Sequence, residues 1–266
     1  MKPFFKWAGG KYKIIDKIKA SLPIGDRLVE PFAGSGAVFI NTEYKKYIIA
    51  DSNADLINVF VHVQREVLDF IFYVKQLFVK KNNQEDAFYC LREEFNLTND
   101  ARRKAALFIY LNRHCFNGLC RYNSKGGFNV PFGRYVNPMF PEKEMFNFFK
   151  KSQFAEFRVA DFVKTMLEAE LGDVVYCDPP YVPLTLTSKF TSYTQDGFGL
   201  DKQKELANMA KILMKKGIPV IISNHDTDFT RSIYSAAKIQ SFDVQRFISS
   251  DAANRNKVSE LLVAFS

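Results

Sequence analysis

The chain is short of the residues that would staple it, anchor it or give it a metal centre. Its 266 residues include four cysteines, Cys90, Cys115, Cys120 and Cys177, and none has the paired spacing of a zinc knuckle. The three histidines, His62, His114 and His225, are scattered and complete no ligand set, so no metal is expected. Unpaired thiols fit a reducing cytosol better than a secreted scaffold. No run of about eighteen apolar residues occurs, which excludes a membrane-spanning helix. Charges and Gly9-Gly10 break the N-terminus within its first residues, so no signal peptide is expected there. Internal repeats and low-complexity segments are absent too. The expectation is a cytoplasmic protein with no membrane contact and no obligate protein partner.

What is present is apolar, aromatic and basic. Hydrophobic residues make up 47% of the chain, with 27 Phe and 12 Tyr, enough for a substantial core. The net charge is +8, and the excess is concentrated. Lys2, Lys6, Lys11, Lys13, Lys17 and Lys19 face only Asp16 in the opening segment. Arg102, Arg103, Lys104, Arg113, Arg121, Lys125 and Arg134 face only Asp100 between residues 100 and 134. Such stretches suit a phosphate-binding cleft, because each neutralised phosphate releases counterions. They equally suit two solvated faces.

The pattern of elements is α/β. Residues 13–21 read as a short helix, Arg27–Glu30 as a strand, and Ala37–Thr42 as the start of a following helix. Tyr47–Asp51 reads as a second strand ending on an acid, completing a β-α-β unit. Between Leu56 and Met139 the spacing turns helical, over Val61–Val79, Tyr89–Phe95 and Arg103–Leu111. There follows Gly118–Asn123, a Ser-Lys-Gly-Gly127 turn and Phe128–Val130, which reads as a β-hairpin. The α/β pattern resumes with a strand at Gly172–Cys177, a helix at Asp201–Lys216 closed by Gly217, and a strand at Pro219–Ser223. Two last strands, Ile239–Ile248 and Lys257–Phe265, are expected to pair antiparallel. The predicted architecture is a discontinuous α/β domain, 1–55 and 145–266, built on a mixed sheet with an antiparallel C-terminal strand. A mainly helical module with one β-hairpin, 56–144, is inserted into it.

Two motifs carry chemistry. Glu30-Pro-Phe-Ala-Gly34-Ser-Gly36 follows a strand, and its glycines let backbone approach a ligand closely. Asp51, at the end of the next strand, can accept hydrogen bonds from ribose hydroxyls. Together they suggest an adenosine-containing cofactor, although a plain tight turn accounts for the glycines alone. Phe39 stands where a dinucleotide fingerprint would have Gly or Ala, which argues against a nicotinamide enzyme. The second motif, Asp178-Pro179-Pro180-Tyr181, sits where a strand meets the carboxyl edge of the sheet. The prolines fix an extended turn, the carboxylate and a carbonyl can point at one amino group, and Tyr181 offers a flat face to a planar base.

These two motifs resemble those of the amino-group DNA methyltransferases, and their order resembles the alpha class of that group. Phe5–Lys11, Arg113–Asn123, Val130–Tyr135 and Ile222–Asp226 are similar to blocks of the Dam family, which methylates adenine in GATC; the resemblance covers essentially the whole chain. It implies a Rossmann-like fold that binds S-adenosylmethionine and acts on the adenine N6 amino group of double-stranded DNA. By that resemblance Trp7, Lys11, Phe32, Gly34, Gly36, Asp51, Asp161, Phe162 and Asp178 bind the cofactor. Asp178, Pro179, Pro180 and Tyr181 hold the target adenine. Lys6, Phe116, Asn117, Leu119, Arg121, Asn123, Pro131 and Tyr135 face DNA. Phe116 departs from the family's more usual Tyr, and His114 and Cys115 depart from its usual flank.

Such an enzyme must flip the adenine out of the stack, with Phe116 and Leu119 as candidates to fill the gap. The alternative is that both anchor the hairpin to its helical base. Arg121 is read as a bidentate partner of guanine or as a phosphate clamp, and Lys6 poses the same choice. His225 reads as a hydrogen-bonded strand-end residue rather than a catalyst. Pro183–Gly199 reads as a loop over the active site or an ordinary surface loop. Ser249–Lys257, with Arg255 and Lys257, either touches phosphates or is merely solvated. No Pro-Cys dipeptide occurs, so cytosine ring methylation through a cysteine nucleophile is excluded. The rival readings are a methyltransferase-like DNA-binding protein without turnover, and an amino-methyltransferase with another target.

Overall fold

The structure, a computed structural model, describes residues 1–183, 198–245 and 257–266. In chain order the described strands are β1 (Arg27–Glu30), β2 (Lys46–Asp51), β3 (Ala155–Val159), β4 (Asp173–Cys177), β5 (Val220–His225), β6 (Lys238–Gln245) and β7 (Lys257–Phe265). The described α-helices are α1 (Ile15–Ser21), α2 (Ala54–Lys75), α3 (Glu85–Leu97), α4 (Ala101–His114), α5 (Glu142–Ser152), α6 (Phe162–Leu167), α7 (Leu200–Lys215) and α8 (Asp228–Ile233). None of these helices is long and apolar enough to cross a membrane. The chain divides into two compact units, 1–16 with 33–159 and 17–32 with 160–266.

In the first unit β2 and β3 run parallel, with Tyr47 opposite Ala155 and Asp51 opposite Val159. Residues 47–50 of β2 are all buried, as expected of a strand covered on both faces. The Asn53 side chain accepts from Leu56 N at 3.1 Å and caps α2, so this helix begins well before the apolar periodicity at Val61. Asp100 caps α4 in the same way. Helix α4 is buried from Ala105 to Asn112, and α2 packs against it and against α5. Phe4, Phe60 and Phe148 pack at centroid distances of 5.0 Å (Phe4–Phe148) and 4.7 Å (Phe60–Phe148). These rings therefore serve packing rather than base stacking.

In the second unit the strands are ordered β1-β4-β5-β7-β6. The first three are parallel, with Arg27 opposite Asp173 and Val175 opposite Val220. The last two are antiparallel, as the sequence predicts, and β7 lies between β5 and β6. A two-pronged ion pair from Arg27 to Asp173, at 2.8 and 2.7 Å, joins the starts of β1 and β4. Gly217, with φ of +75°, ends α7.

Two local expectations are corrected. Residues 37–42 form no α-helix, only a 3₁₀ turn at Phe39–Asn41. The Asn41 and Thr42 side chains turn back onto the carbonyls of Ala37 and Val38, at 2.8 and 3.0 Å, and close the turn before β2 begins. The hairpin at 118–130 is an antiparallel loop rather than a continuous ladder, with isolated bridges Cys115–Phe132 and Tyr122–Phe128. Left-handed backbone at Asn117 and Gly118 and the missing N–H of Pro131 interrupt the pairing.

Candidate functional site

The Asp178–Tyr181 motif lies wholly in the second unit. Strand β4 ends at Cys177 and delivers Asp178 to its carboxyl edge. The turn that follows is held from the neighbouring elements by side chains. Gln203 of α7, fully buried, donates to the Pro180 carbonyl at 2.7 Å. Asn224 of β5 accepts from Val182 N at 3.2 Å and donates to Gln203 Oε1 at 2.9 Å. His225 Nδ1 lies 2.6 Å from the Val182 carbonyl, which only accepts, so Nδ1 carries the proton. These bonds pin the turn to α7 and β5. His225 thus has the structural role expected of it.

Asp178 Oδ1 accepts from the Ser223 hydroxyl at 2.9 Å. The Tyr181 hydroxyl donates to Glu260 of β7 at 3.2 Å, and its ring meets the His225 edge at 4.7 Å. Burial, then the nearby Asp178 and Glu260 charges, push the Tyr181 phenol well above its ordinary value, so it stays a donor. Pro179 is buried and Pro180 exposed. In the same unit Phe32 stacks on Phe162 at 5.4 Å and 24°, with Phe198 on the edge of Phe32 at 5.5 Å. Asp161 caps α6 through Val163 N at 2.9 Å. Sequence reasoning missed Gln203, Tyr176 and Glu260, whose burial is a tertiary property. Ser223 and Asn224 had a signal, two adjacent polar residues ending an apolar strand.

The other cofactor candidates lie in the first unit. Gly34, with φ of +48°, donates to Asp51 Oδ2 at 3.1 Å, and Asn53 N donates to Oδ1 at 2.9 Å. Burial raises the Asp51 carboxyl above its ordinary value, and these two backbone bonds act against that rise. A Cβ on Gly34 would stand 3.0 Å from Trp7 Nε1, so only glycine lets the loop close on the indole. Gly36, with φ of +69°, takes a left-handed backbone that favours glycine. Lys11 is 5% exposed and donates to the Gly9 carbonyl at 2.6 Å.

The DNA-facing candidates also lie in this unit, and most are brought together. The ammonium of Lys6 sits 4.2 Å over the Tyr135 ring, whose hydroxyl accepts from Asn117 N at 3.0 Å. Burial, then the Arg113 and Lys2 charges, lower the Lys6 ammonium below the usual lysine range. Asn112, 2% exposed, accepts from Lys6 N and donates to the carbonyls of Lys6 and Gly118, at 2.9, 2.8 and 3.1 Å. Phe116 is 51% exposed, which favours a contact surface over a hairpin anchor. Its N–H donates to the Pro131 carbonyl at 2.8 Å. Leu119 is half-buried, its carbonyl accepting from Cys115 Sγ. Arg121 is exposed, held by Asn129 through Nε at 2.8 Å and Nη2 at 3.3 Å. Asn123 is occupied by its own turn, accepting from Lys125 N and Gly127 N. Residues 184–197, most of the expected active-site loop, and 249–256, including Arg255, lie outside the described residues. No cluster of His, Cys, Asp and Glu among the described residues could hold a metal ion.

Comparison with known proteins gives one consistent result. The family of D12 class N6 adenine-specific DNA methyltransferases matches residues 7–248. The chain is 49% identical to a DNA adenine methylase of Serratia marcescens, over 98% of this chain and 97% of that one. It is 48% identical to a DNA adenine methylase of Escherichia coli K12, over 98% and 94% of the two chains. Identity to a DNA adenine methylase of Vibrio cholerae is 47%, over 99% and 95%.

Proposed function

Because the chain belongs to the D12 class N6 adenine-specific DNA methyltransferases, we propose that it methylates adenine N6 within GATC of double-stranded DNA, using S-adenosylmethionine and flipping the base. The observation that carries the reading is Asp178, on a turn pinned by Gln203, Asn224 and His225, with Tyr181 fixed beside it. Residues 1–55 and 145–266 are assigned to catalysis, and 56–144 to target recognition, with the protein acting on DNA of the nucleoid.

The residues suit this cofactor. The close approach of Gly34 to the Trp7 indole, the partly buried Asp51 carboxylate and the Phe32–Phe162 stack match a glycine-loop contact, ribose hydroxyls and a planar base. Trp7, Lys11, Gly34, Gly36 and Asp51 are therefore assigned to it, with Phe32, Asp161 and Phe162. Bound S-adenosylmethionine supplies an electrophilic methyl group on a positively charged sulfur.

The adenine amino nitrogen is a poor nucleophile, because its lone pair is delocalised into the ring. Asp178 and the Pro179 carbonyl accept its two N–H bonds and favour a pyramidal nitrogen. Charge that develops on that nitrogen then meets a fixed carboxylate, which stabilises the transition state without a covalent intermediate. Tyr181 stacks on the flipped base. Phe116 and Leu119 fill the vacated stack, and Arg121 and Lys6 read guanine, with Asn117, Asn123, Pro131 and Tyr135 supporting them.

The test is transfer of labelled methyl to two duplexes differing only in GATC. Incorporation as N6-methyladenine in the GATC duplex alone is expected. Incorporation into both would remove the assignment of specificity, and none into either would remove the enzyme.

A further inference from the structure

Asp178 does not meet solvent and substrate as an isolated carboxylate. The Ser223 hydroxyl donates its one proton to Asp178 Oδ1 at 2.9 Å. Its oxygen lies 3.1 Å from the Tyr176 hydroxyl, and the Tyr181 hydroxyl is also in hydrogen-bond contact with it; with the serine proton given to the carboxylate, the strongest acceptor of the three, Tyr176 is the donor of its bond. Tyr176 is 1% exposed and Ser223 fully buried, so neither hydroxyl exchanges its partner for water. The result is a directed chain from Tyr176 through Ser223 to Asp178, crossing from β4 to β5 and back. The two strands are in register at this point, with Cys177 opposite Ile222, so the preceding ladder fixes the serine's distance from the carboxylate.

We propose that Ser223 is a positioning residue for Asp178, setting the carboxylate's rotation about its χ2 bond, with Tyr176 setting the rotation of the serine hydroxyl. The proposal rests on the reading of Asp178 as acceptor of the adenine amino group. A carboxylate free to rotate presents its oxygens to the amino group only part of the time, whereas one held at Oδ1 is oriented before the base arrives. Misalignment of a reacting group by about 1 Å can cost on the order of a hundredfold in rate. Gln203, Asn224 and His225 hold the backbone of the turn. Ser223, on β5, donates to the carboxylate itself.

The test compares wild type, Ser223→Ala, Ser223→Thr and Tyr176→Phe in single-turnover methyl transfer at saturating S-adenosylmethionine and duplex. Affinities for both are measured alongside. Ser223→Ala is expected to slow the step about tenfold to a hundredfold, with both affinities within about twofold of wild type. Ser223→Thr, which keeps the hydroxyl, is expected to recover most of the rate, and Tyr176→Phe to lie between Ser223→Ala and wild type. Loss of a hydrogen bond to the charged form also moves the acid limb of the rate–pH profile to higher pH, a change that mere loosening of the fold does not produce. A Ser223→Ala rate within twofold of wild type, or a loss matched by lost affinity with an unmoved profile, would overturn the proposal while leaving the methyltransferase reading intact. A wild type that transfers no methyl group would overturn both.

Discussion

Replacing Asn112 by leucine removes the three hydrogen bonds that tie the N-terminal segment to the 116–118 turn, while nearly keeping the side-chain volume. The lost bonds run to Lys6 N, Lys6 O and Gly118 O. An unsatisfied buried polar group costs about 1–3 kcal/mol. Lys6 is half-buried, so its two backbone groups regain some water, and they are assigned about 1 kcal/mol each. The Gly118 carbonyl is buried and is assigned about 2 kcal/mol. The leucine returns about 1.5 kcal/mol by apolar burial. A net loss near ~2.5 kcal/mol corresponds to a fall in Tm of about 5–10 °C. The second effect is functional, because the segment released carries Lys6 and Phe116. Methyl transfer to GATC should fall more than the transfer to altered sites, narrowing the ratio between them. Asn112→Asp should be worse than leucine, since it sets a carboxylate against two carbonyl oxygens. A leucine variant that melts within about a degree of wild type and discriminates as wild type does would refute the clamp.

Asp178→Ala should leave a folded protein that transfers no methyl group; retention of about a tenth of the wild-type turnover would remove the assigned role. Burial holds the His114 imidazole neutral and lowers its pKa from 6.5 to about 4. The unfolded chain therefore takes up the proton first, so this contribution is full above pH 6.5 and is lost as pH falls towards 4. At about 1.4 kcal/mol per pH unit the loss is roughly 3 kcal/mol, and His114→Phe should flatten it in denaturant titrations. Arg121→Ala should cost about 1–3 kcal/mol of discrimination at one base pair; uniform weakening on all duplexes would instead identify a phosphate contact.

What was legible in the sequence was whatever local chemistry sets. The strands at 27–30, 173–177 and 220–225 announce themselves by apolar runs with defined ends, and the antiparallel close follows from two runs joined by a polar loop. Asp178-Pro-Pro-Tyr181 was legible because its rigidity is written in its two prolines. Strand β3 was not, because Ala155-Glu-Phe-Arg-Val159 mixes charge into a half-exposed strand beside β2. Helix α2 began earlier than its periodicity because one asparagine caps it. The partners of the catalytic turn escaped for a different reason. Gln203 lies on an amphipathic helix where a polar residue ordinarily faces water, and only packing against β5 turns it inward. The placing of Lys6 over Tyr135 likewise arises from a contact more than a hundred positions apart, which no local pattern encodes.

The placement of β7 has a consequence for how the protein is made. This strand follows β6 in the chain yet pairs with β5 on one side and β6 on the other. On a ribosome, β5 and β6 emerge with no direct partner in each other, and β5 waits with an open edge. Glu260, which receives the Tyr181 hydroxyl, arrives in that same strand. The Tyr181 hydroxyl therefore gains this partner only once β7 arrives, and a nascent chain stalled before residue 257 carries the whole Asp-Pro-Pro-Tyr turn without the strand that steadies it. Until then the bare edge of β5 is a template for wrong pairing.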